Sequence, residues 1–470
     1  MNRPMGVLLV FTLSLASIFV PGELLQSTGS FAAKYTVTIE RPETHVMHVE
    51  AVFSAPPTPL RLRILVPGTL TYQISMGPDE TITYPFHVAN IEVSDEQGES
   101  LPFDWNPQPD QVSYLVIYPG SAGEVHLSYD VVVLRPGGVH IGWETVQSQA
   151  YLGEDYGVIV PEAALFLPTE VSEVTVHFDL PQGWRPVAEG RRVDERAYIL
   201  DISPVRWCSD VNGCISYIAV GPFDVYHVPV YGVDLTVAIQ HGTSIPVAEM
   251  LDLSMKSFVY FSETFGPYQA SDQFLVIFVE DESDGSCFHG ILFSPRLGNS
   301  NVHNYAGHSR SCYPIWNMLV PDEMIYLWIE QMGVYGHPFD DAIWLIQSMS
   351  ETFYLATVRF GYASEAEYYE RILSDWEVYQ SDLRAAGLEN SQVILADPNT
   401  DLVVGKAGLV TAMLREEIVE ATHGEKDFDD LLTMVVVPNP TGFTNGDILN
   451  ALKELTGKDF TEFFQNFSFR

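Results

Sequence analysis

The segments YTVTIE (Tyr35–Glu40) and HVMHVEAVF (His45–Phe53) are dominated by β-branched and aromatic residues, which suit a pleated, half-buried strand. Runs of the same kind follow at LRLRILV (60–66), QVSYLVIY (111–118), EVHLSYDVVVL (124–134), EVTVHFDL (173–180) and AYILDI (197–202). Between them stand turn signals such as Val66-Pro67-Gly68, Arg135-Pro136-Gly137-Gly138 and Pro181-Gln182-Gly183. Many short strands with no long helical pattern among them predict an antiparallel β-sandwich over residues 31–230.

After Asp234 the pattern changes. One more strand, LTVAIQ (235–240), leads into a helical stretch from Val247 to Phe265, with apolar residues at Met250, Leu251, Met255, Phe258 and Phe261. Gly266-Pro267 ends it, and Phe274–Val279 reads as a buried strand. From Pro321 helical periodicity dominates, broken at Gly333, Pro338, Gly387, Pro398 and Pro440. The stretch Asp281–Tyr313, rich in Ser, Gly and Asn, reads as a long polar loop of the kind that borders a groove. Residues 231–470 are thus expected to form a second, α+β and mainly helical domain, and 470 residues are enough to bury two substantial cores.

Composition narrows the class of function. Hydrophobic residues are 46% of the chain and charged residues 18%, the profile of packed cores rather than disorder. Asp and Glu number 62 against 23 Lys and Arg, and the resulting net charge of −39 repels phosphate backbones, so no nucleic-acid partner is expected. Arg3, the apolar run Met5–Val20 and the polar stretch Gln26–Ser30 have the layout of a secretory signal. An exported, extracellular, periplasmic or cell-surface protein is expected, touching membrane only if residues 1–30 remain uncleaved as an anchor. In an oxidising compartment the cysteines read as two disulfides, Cys208 with Cys214 and Cys287 with Cys312.

The order of several fragments resembles the glycyl aminopeptidases, members of the gluzincin metallopeptidases related to membrane alanyl aminopeptidases. RPETHVMHVEAVF (41–53), LVPGTL (65–70), LSYDVVV (127–133) and LPQGWRPVAEG (180–190) are similar to that family's opening β domain. Phe265-Gly266-Pro267-Tyr268 resembles the segment before its central catalytic strand. VPDEMIYLWIEQM (320–332) falls where the zinc helix belongs, and IWLIQSMSETFY (343–354) where the third zinc ligand belongs. VVGKAGLVTAMLREEI (403–418) resembles the start of the late Tyr-containing helix, and LNALKELTGKDFTEFFQNF (449–467) the closing helices. The resemblance implies a thermolysin-like second domain and a substrate groove involving His289, Gly290, Ile291, Trp328 and Trp344. No counterpart of the family's C-terminal peptide-binding module is expected, the sequence running only to Arg470.

Zinc hydrolysis of peptides needs two neutral imidazoles one helical turn apart, a carboxylate from a following helix, and an open position for water. An H-E-x-x-H helix supplies this because residues i and i+4 share a face. Here the corresponding positions are Asp322, Glu323 and Tyr326, so only the general base Glu323 remains. The third-ligand position holds Gln347, a neutral amide and a poor ligand for a divalent cation, and the oxyanion-stabilising Tyr position holds Val404. The family's substrate-binding edge strand appears as CFHGILFSP (287–295), without its Glu. Trp328, Trp344 and Lys406, which flank these positions, are retained.

Asp322, Glu323 and Glu330 could supply oxygens to Ca²⁺ or Mg²⁺, but acids near a helix start are more simply solvated or favoured by the helix dipole. His289, His303 and His308 with Cys287 or Cys312 match no zinc spacing. The sequence holds no G-x-S-x-G. The expectation is a non-catalytic homologue with no cofactor, binding a peptide or protein in the inherited groove. The alternatives are an active metallopeptidase using zinc in a divergent site with Glu323 as base, and a structural role with the groove filled by Tyr326 and its neighbours.

Overall fold

The computed structural model describes residues 31–66, 69–72, 80–83, 87–107, 111–133, 151–159, 161–169, 171–188, 190–202, 218–242, 246–268, 273–281, 287–294, 302–307, 320–321, 324, 328, 344–345, 356, 358–387, 401–438 and 443–466.

In the first domain the strand Val46–Ser54 buries Met47, Val49, Ala51 and Phe53 and turns His48 and Glu50 to the opposite face, because successive side chains on a strand alternate. Glu124–Val132 does the same with Val125, Leu127, Tyr129 and Val131. Both belong to a seven-stranded sheet ordered Arg191–Arg192, Ala197–Asp201, Glu173–Asp179, Ala32–Thr38, Val46–Ser54, Glu124–Val132 and His87–Asp95. Its inner face shares one core with Leu60, Leu62, Ile64, Leu115 and Ile117 of a four-stranded sheet that includes Leu60–Val66 and Gln111–Ile117. The buried phenols in this core are satisfied: the Tyr35 hydroxyl donates to the Phe166 carbonyl at 2.6 Å and that of Tyr129 to the Ala164 carbonyl at 3.1 Å. Ala164 ends a one-turn helix, α1 (Pro161–Ala164).

The expected layered sheets are present, with one correction. Ala32–Thr38 pairs in parallel with Glu173–Asp179, so the large sheet is mixed rather than purely antiparallel. Parallel neighbours need a long crossover, here most of the domain, and local turn signals carry no trace of it.

A second four-stranded sheet, which includes Gly157–Ile159, Arg185–Ala188 and Ile218–Gly221, packs against the sheet of the second domain. Tyr156, Val158, Val187 and Ala219 meet Phe223, Ala238, Leu275 and Ile277 in one apolar cluster. At its rim the Gly190 N–H donates to Gln273 Oε1 at 3.1 Å. Gly190 has φ +134, and a Cβ there would stand 2.6 Å from the Ile199 carbonyl oxygen. Gly190→Ala is therefore expected to cost about 1–3 kcal/mol in chemical denaturation, through left-handed backbone strain and displacement of the neighbouring strand. An unchanged midpoint would show that the turn relaxes freely.

The second sheet runs Phe223–Val230, Val233–Gln240, Gln273–Asp281, Cys287–Ser294 and Val302–Gly307. Its first hairpin straddles the division between residues 230 and 231. Helix α2 (Val247–Phe265) crosses between the parallel strands Val233–Gln240 and Gln273–Asp281. It buries Met250, Leu253, Phe258, Phe261 and Phe265, with Ser254, Ser257 and Ser262 allowing close approach, while Met255, expected on the apolar face, is exposed.

Further helices with described bounds are α3 (Glu365–Ala386), α4 (Asp401–Ala421), α5 (Phe428–Val436), α6 (Asn445–Thr456) and α7 (Thr461–Asn466). Ser364 with Glu367, Asp427 with Asp430, and Thr444 with Asp447 form capping boxes that start α3, α5 and α6. Gly387 and Gly457 close α3 and α6 in the left-handed conformation. A sheet-rich first part and a helical C-terminal region thus make up the chain. Among the described residues no helix is long and apolar enough to cross a membrane.

Candidate functional site

Val320, Met324 and Trp328 are helical and stand at i, i+4 and i+8, so they share one face, and all are buried in the core of the second domain. The Trp328 ring lies between Phe258 at 5.0 Å and Phe261 at 5.7 Å from α2, Tyr268 at 5.1 Å, and Phe274 at 6.0 Å from the sheet. Its indole N–H donates to the Gly266 carbonyl at 3.0 Å, which ties this segment to the Gly-Pro stop of α2. Trp344 is also helical and buried, donates to Asn445 Oδ1 at 2.9 Å, and meets Phe464 edge-on at 6.0 Å.

Trp328 and Trp344 are core side chains, 2% and 0% exposed. His289, Gly290 and Ile291 lie on Cys287–Ser294, and that strand is not an edge: it pairs antiparallel with Gln273–Asp281 on one side and with Val302–Gly307 on the other. The stretch 281–313, expected as a polar loop, therefore contains two strands, and His303 belongs to the outer one. Composition misleads here because a ladder is made by backbone N–H and C=O groups, which Gly, Asn and His supply as well as Val does.

Asp322, Glu323, Tyr326, Glu330, Gln347, His308, Cys208, Cys214 and Cys312 lie outside the described residues, and of Cys287 and Val404 only the backbone is described, in a strand and in α4 respectively. Lys406 is buried in α4, and burial lowers the pKa of its ammonium group. Among the described residues no cluster of three or more His, Cys, Asp or Glu could hold a metal ion.

A second polar centre had no counterpart among the expected sites. Tyr260 and Thr264 of α2, Arg359, and Lys426, Asp427, Asp429, Asp430 and Thr433 in and just before α5 line a cavity of about 350 Å³. Arg359 pairs with Asp427 at 2.7 Å and closely with Asp429, which also accepts from the Tyr260 hydroxyl. Arg415 of α4 reaches Asp427 at 3.4 Å, and Lys426 pairs with Asp430 at 2.9 Å. Burial pushes the Asp429 carboxyl above the usual range, with Arg359 and Tyr260 pulling the other way. Each acid here has a cationic partner, so the cluster fastens α2, α4 and α5 to the segment around Arg359. The sequence signal was the capping pattern Asp427-x-x-Asp430, which marks a helix start without indicating the distant arginine.

Residues 34–199 match the model of the Peptidase M61 N-terminal domain. No curated protein matches the chain in sequence. An aminopeptidase N family protein from Idiomarina loihiensis is 13% identical with a TM-score of 0.59, over 93% of this chain and 76% of that one. An M1 zinc metallopeptidase from Deinococcus radiodurans is 13% identical with a TM-score of 0.44, over 93% and 92%. At such identities the first of these likenesses speaks to fold alone. Residues 34–199 thus resemble an M61 peptidase N-terminal domain, and the chain shares the fold of an aminopeptidase N family protein.

Proposed function

We propose that the chain is an exported, non-catalytic homologue of the zinc aminopeptidases, with a thermolysin-like second domain and a role in binding peptide or protein. One observation carries this: the positions that correspond to the zinc ligands hold an acid, a phenol and an amide, Asp322, Tyr326 and Gln347. Such a donor set does not fit a tetrahedral zinc ion, which favours imidazole, thiolate or carboxylate and, in peptidases, two imidazoles with a carboxylate. No step is therefore assigned to a metal, and Glu323 is read as a remnant of the general base. Cys208 with Cys214 and Cys287 with Cys312 are proposed as disulfides of an exported protein.

The pairing of Cys287–Ser294 on both sides bears on how a peptide could bind. A peptide cannot add as a strand to Cys287–Ser294 without displacing Val302–Gly307. The same observation favours a second reading, in which the old groove is closed and the role is structural.

The purified mature protein is expected to hold far less than one zinc per chain and to release no amine from aminoacyl substrates. Elemental analysis after mild dialysis, with an aminoacyl-naphthylamide assay, checks both. One zinc per chain whose chelation abolishes turnover, together with inactivity of Glu323→Gln, would establish the divergent metallopeptidase instead.

A further inference from the structure

The outer face of the seven-stranded sheet carries a hydrogen-bonded row across three neighbouring strands. Asp130 stands opposite His48, and Ser128 stands between Glu50 and Glu92 of the flanking strands. Directly opposed residues share a face, so these side chains lie together. His48 Nδ1 donates to Asp130 Oδ1 at 2.8 Å, and Asn90 Nδ2 donates to the other carboxylate oxygen at 2.6 Å. A carboxylate only accepts, so in the neutral imidazole this bond keeps the proton on Nδ1 and leaves a lone pair on Nε2. His48 Nε2 lies 3.4 Å from Ser128 Oγ.

We propose that Ser128, His48 and Asp130 form an acyl-transfer site, with Ser128 as nucleophile, His48 as general base and Asp130 as the positioning residue that orients the imidazole. The site is distinct from the groove of the second domain and does not depend on it. Connectivity is what a serine nucleophile needs: hydroxyl to Nε2, and Nδ1 to a carboxylate itself held by a further donor. The inward neighbours Leu127, Tyr129 and Val131 are fully buried, so the strand cannot slide without exposing core. Beside Ser128 and Asp130 the adjoining strand bulges between Ala89 and Glu92, with Asn90 at φ +53. Bulges take residues out of the ladder and recur next to active sites, and this one is where backbone N–H groups could meet a developing oxyanion.

Charge selects the substrate class. Ser128 is flanked by Glu50 and Glu92, and Glu50 Oε1 lies 3.9 Å from His48 Nε2. A carboxylic ester or thioester bearing a quaternary or primary ammonium group fits this surface better than a neutral or anionic one. Ser128 Oγ bonds to the acyl carbon while its proton passes to His48 Nε2. The bond to the leaving oxygen or sulfur then breaks, and His48 returns the proton to that atom. Water repeats the sequence, releasing the carboxylic acid and restoring the Ser128 hydroxyl, so the net reaction is hydrolysis with no other reactant.

The test uses the full chain with a biotinylated fluorophosphonate, and with acetylthiocholine against a neutral thioacetate of similar leaving-group acidity. Peptide mass analysis is expected to place the phosphonate on Ser128. Labelling should vanish in Ser128→Ala and slow about 100-fold or more in His48→Gln, the usual contribution of a general base. Asp130→Asn should slow labelling while leaving the unfolding midpoint unchanged, which a purely structural role would not produce. Acetylthiocholine should be the faster substrate, with the preference lost in the Glu50→Gln, Glu92→Gln double variant. No label on Ser128, or a labelling rate indifferent to His48→Gln in a chain with native circular dichroism, would reduce the row to a cross-strand hydrogen-bond ladder and overturn the proposal.

Discussion

Trp328→Ala is expected to destabilise the second domain by about 4 kcal/mol, the cost of emptying a large aromatic site in a packed core. Among the described residues the ring has four aromatic neighbours within 6.0 Å, contributed by α2, by Tyr268 and by the strand Gln273–Asp281. None of these can move into the space without breaking its own packing, so collapse will be limited and the penalty should sit high in the usual range. The indole also satisfies the Gly266 carbonyl, and Trp328→Phe isolates that bond. The phenyl keeps most of the apolar contact and loses the N–H, so about 1–2 kcal/mol is expected. For a domain of this size the Ala variant should lower the unfolding temperature by on the order of 10 °C. Differential scanning calorimetry of both variants checks the series. Equal losses in Phe and Ala would mean that the hydrogen bond, rather than the packing, holds this segment in place.

The reasons for that result also show what could be read in the sequence. Strand periodicity was legible wherever one face is buried, as in Val46–Ser54 and Glu124–Val132, because a local pattern reports a local environment. Helix ends were legible for the same reason: Ser364-x-x-Glu367 and Gly387 mark α3 by chemistry confined to its own termini. What could not be read depends on partners distant in the chain. The parallel pairing of Ala32–Thr38 with Glu173–Asp179 and the second partner of Cys287–Ser294 are choices of neighbour, and the side chains do not encode them locally. Trp328 and Trp344 stand out in the sequence, but a large aromatic in a helical stretch reads alike whether it lines a groove or fills a core. His48, Ser128 and Asp130 are separated by up to 82 positions, and sequence spacing carries no sign that they meet.

Arg359→Met should cost about 3 kcal/mol at neutral pH, because it leaves Asp429 buried without its cation while keeping an apolar stem in place. The Asp429 side chain is only 14% exposed, and its remaining partner is the Tyr260 hydroxyl. Acidic groups crowd the same pocket: Asp427 and Asp430 face it from the start of α5, offset by Arg415 and Lys426. The pH dependence separates this mechanism from simple loss of packing. The Asp429 carboxyl is already raised in the native protein, and without Arg359 it should rise further. A group raised on folding binds its proton in the native state first, so its ionisation penalty is absent below the unfolded value and grows as pH climbs through the folded one. The difference between variant and wild type should therefore shrink as pH is lowered through that window and be largest near neutrality. Asp429→Asn in the Arg359→Met background removes the stranded charge and should recover much of the loss, giving a coupling energy in a double-mutant cycle. A deficit that stays constant with pH and persists in the double variant would show that Arg359 acts through contacts other than its pairing with Asp429, such as its guanidinium carbon 5.6 Å from the Tyr260 ring centroid.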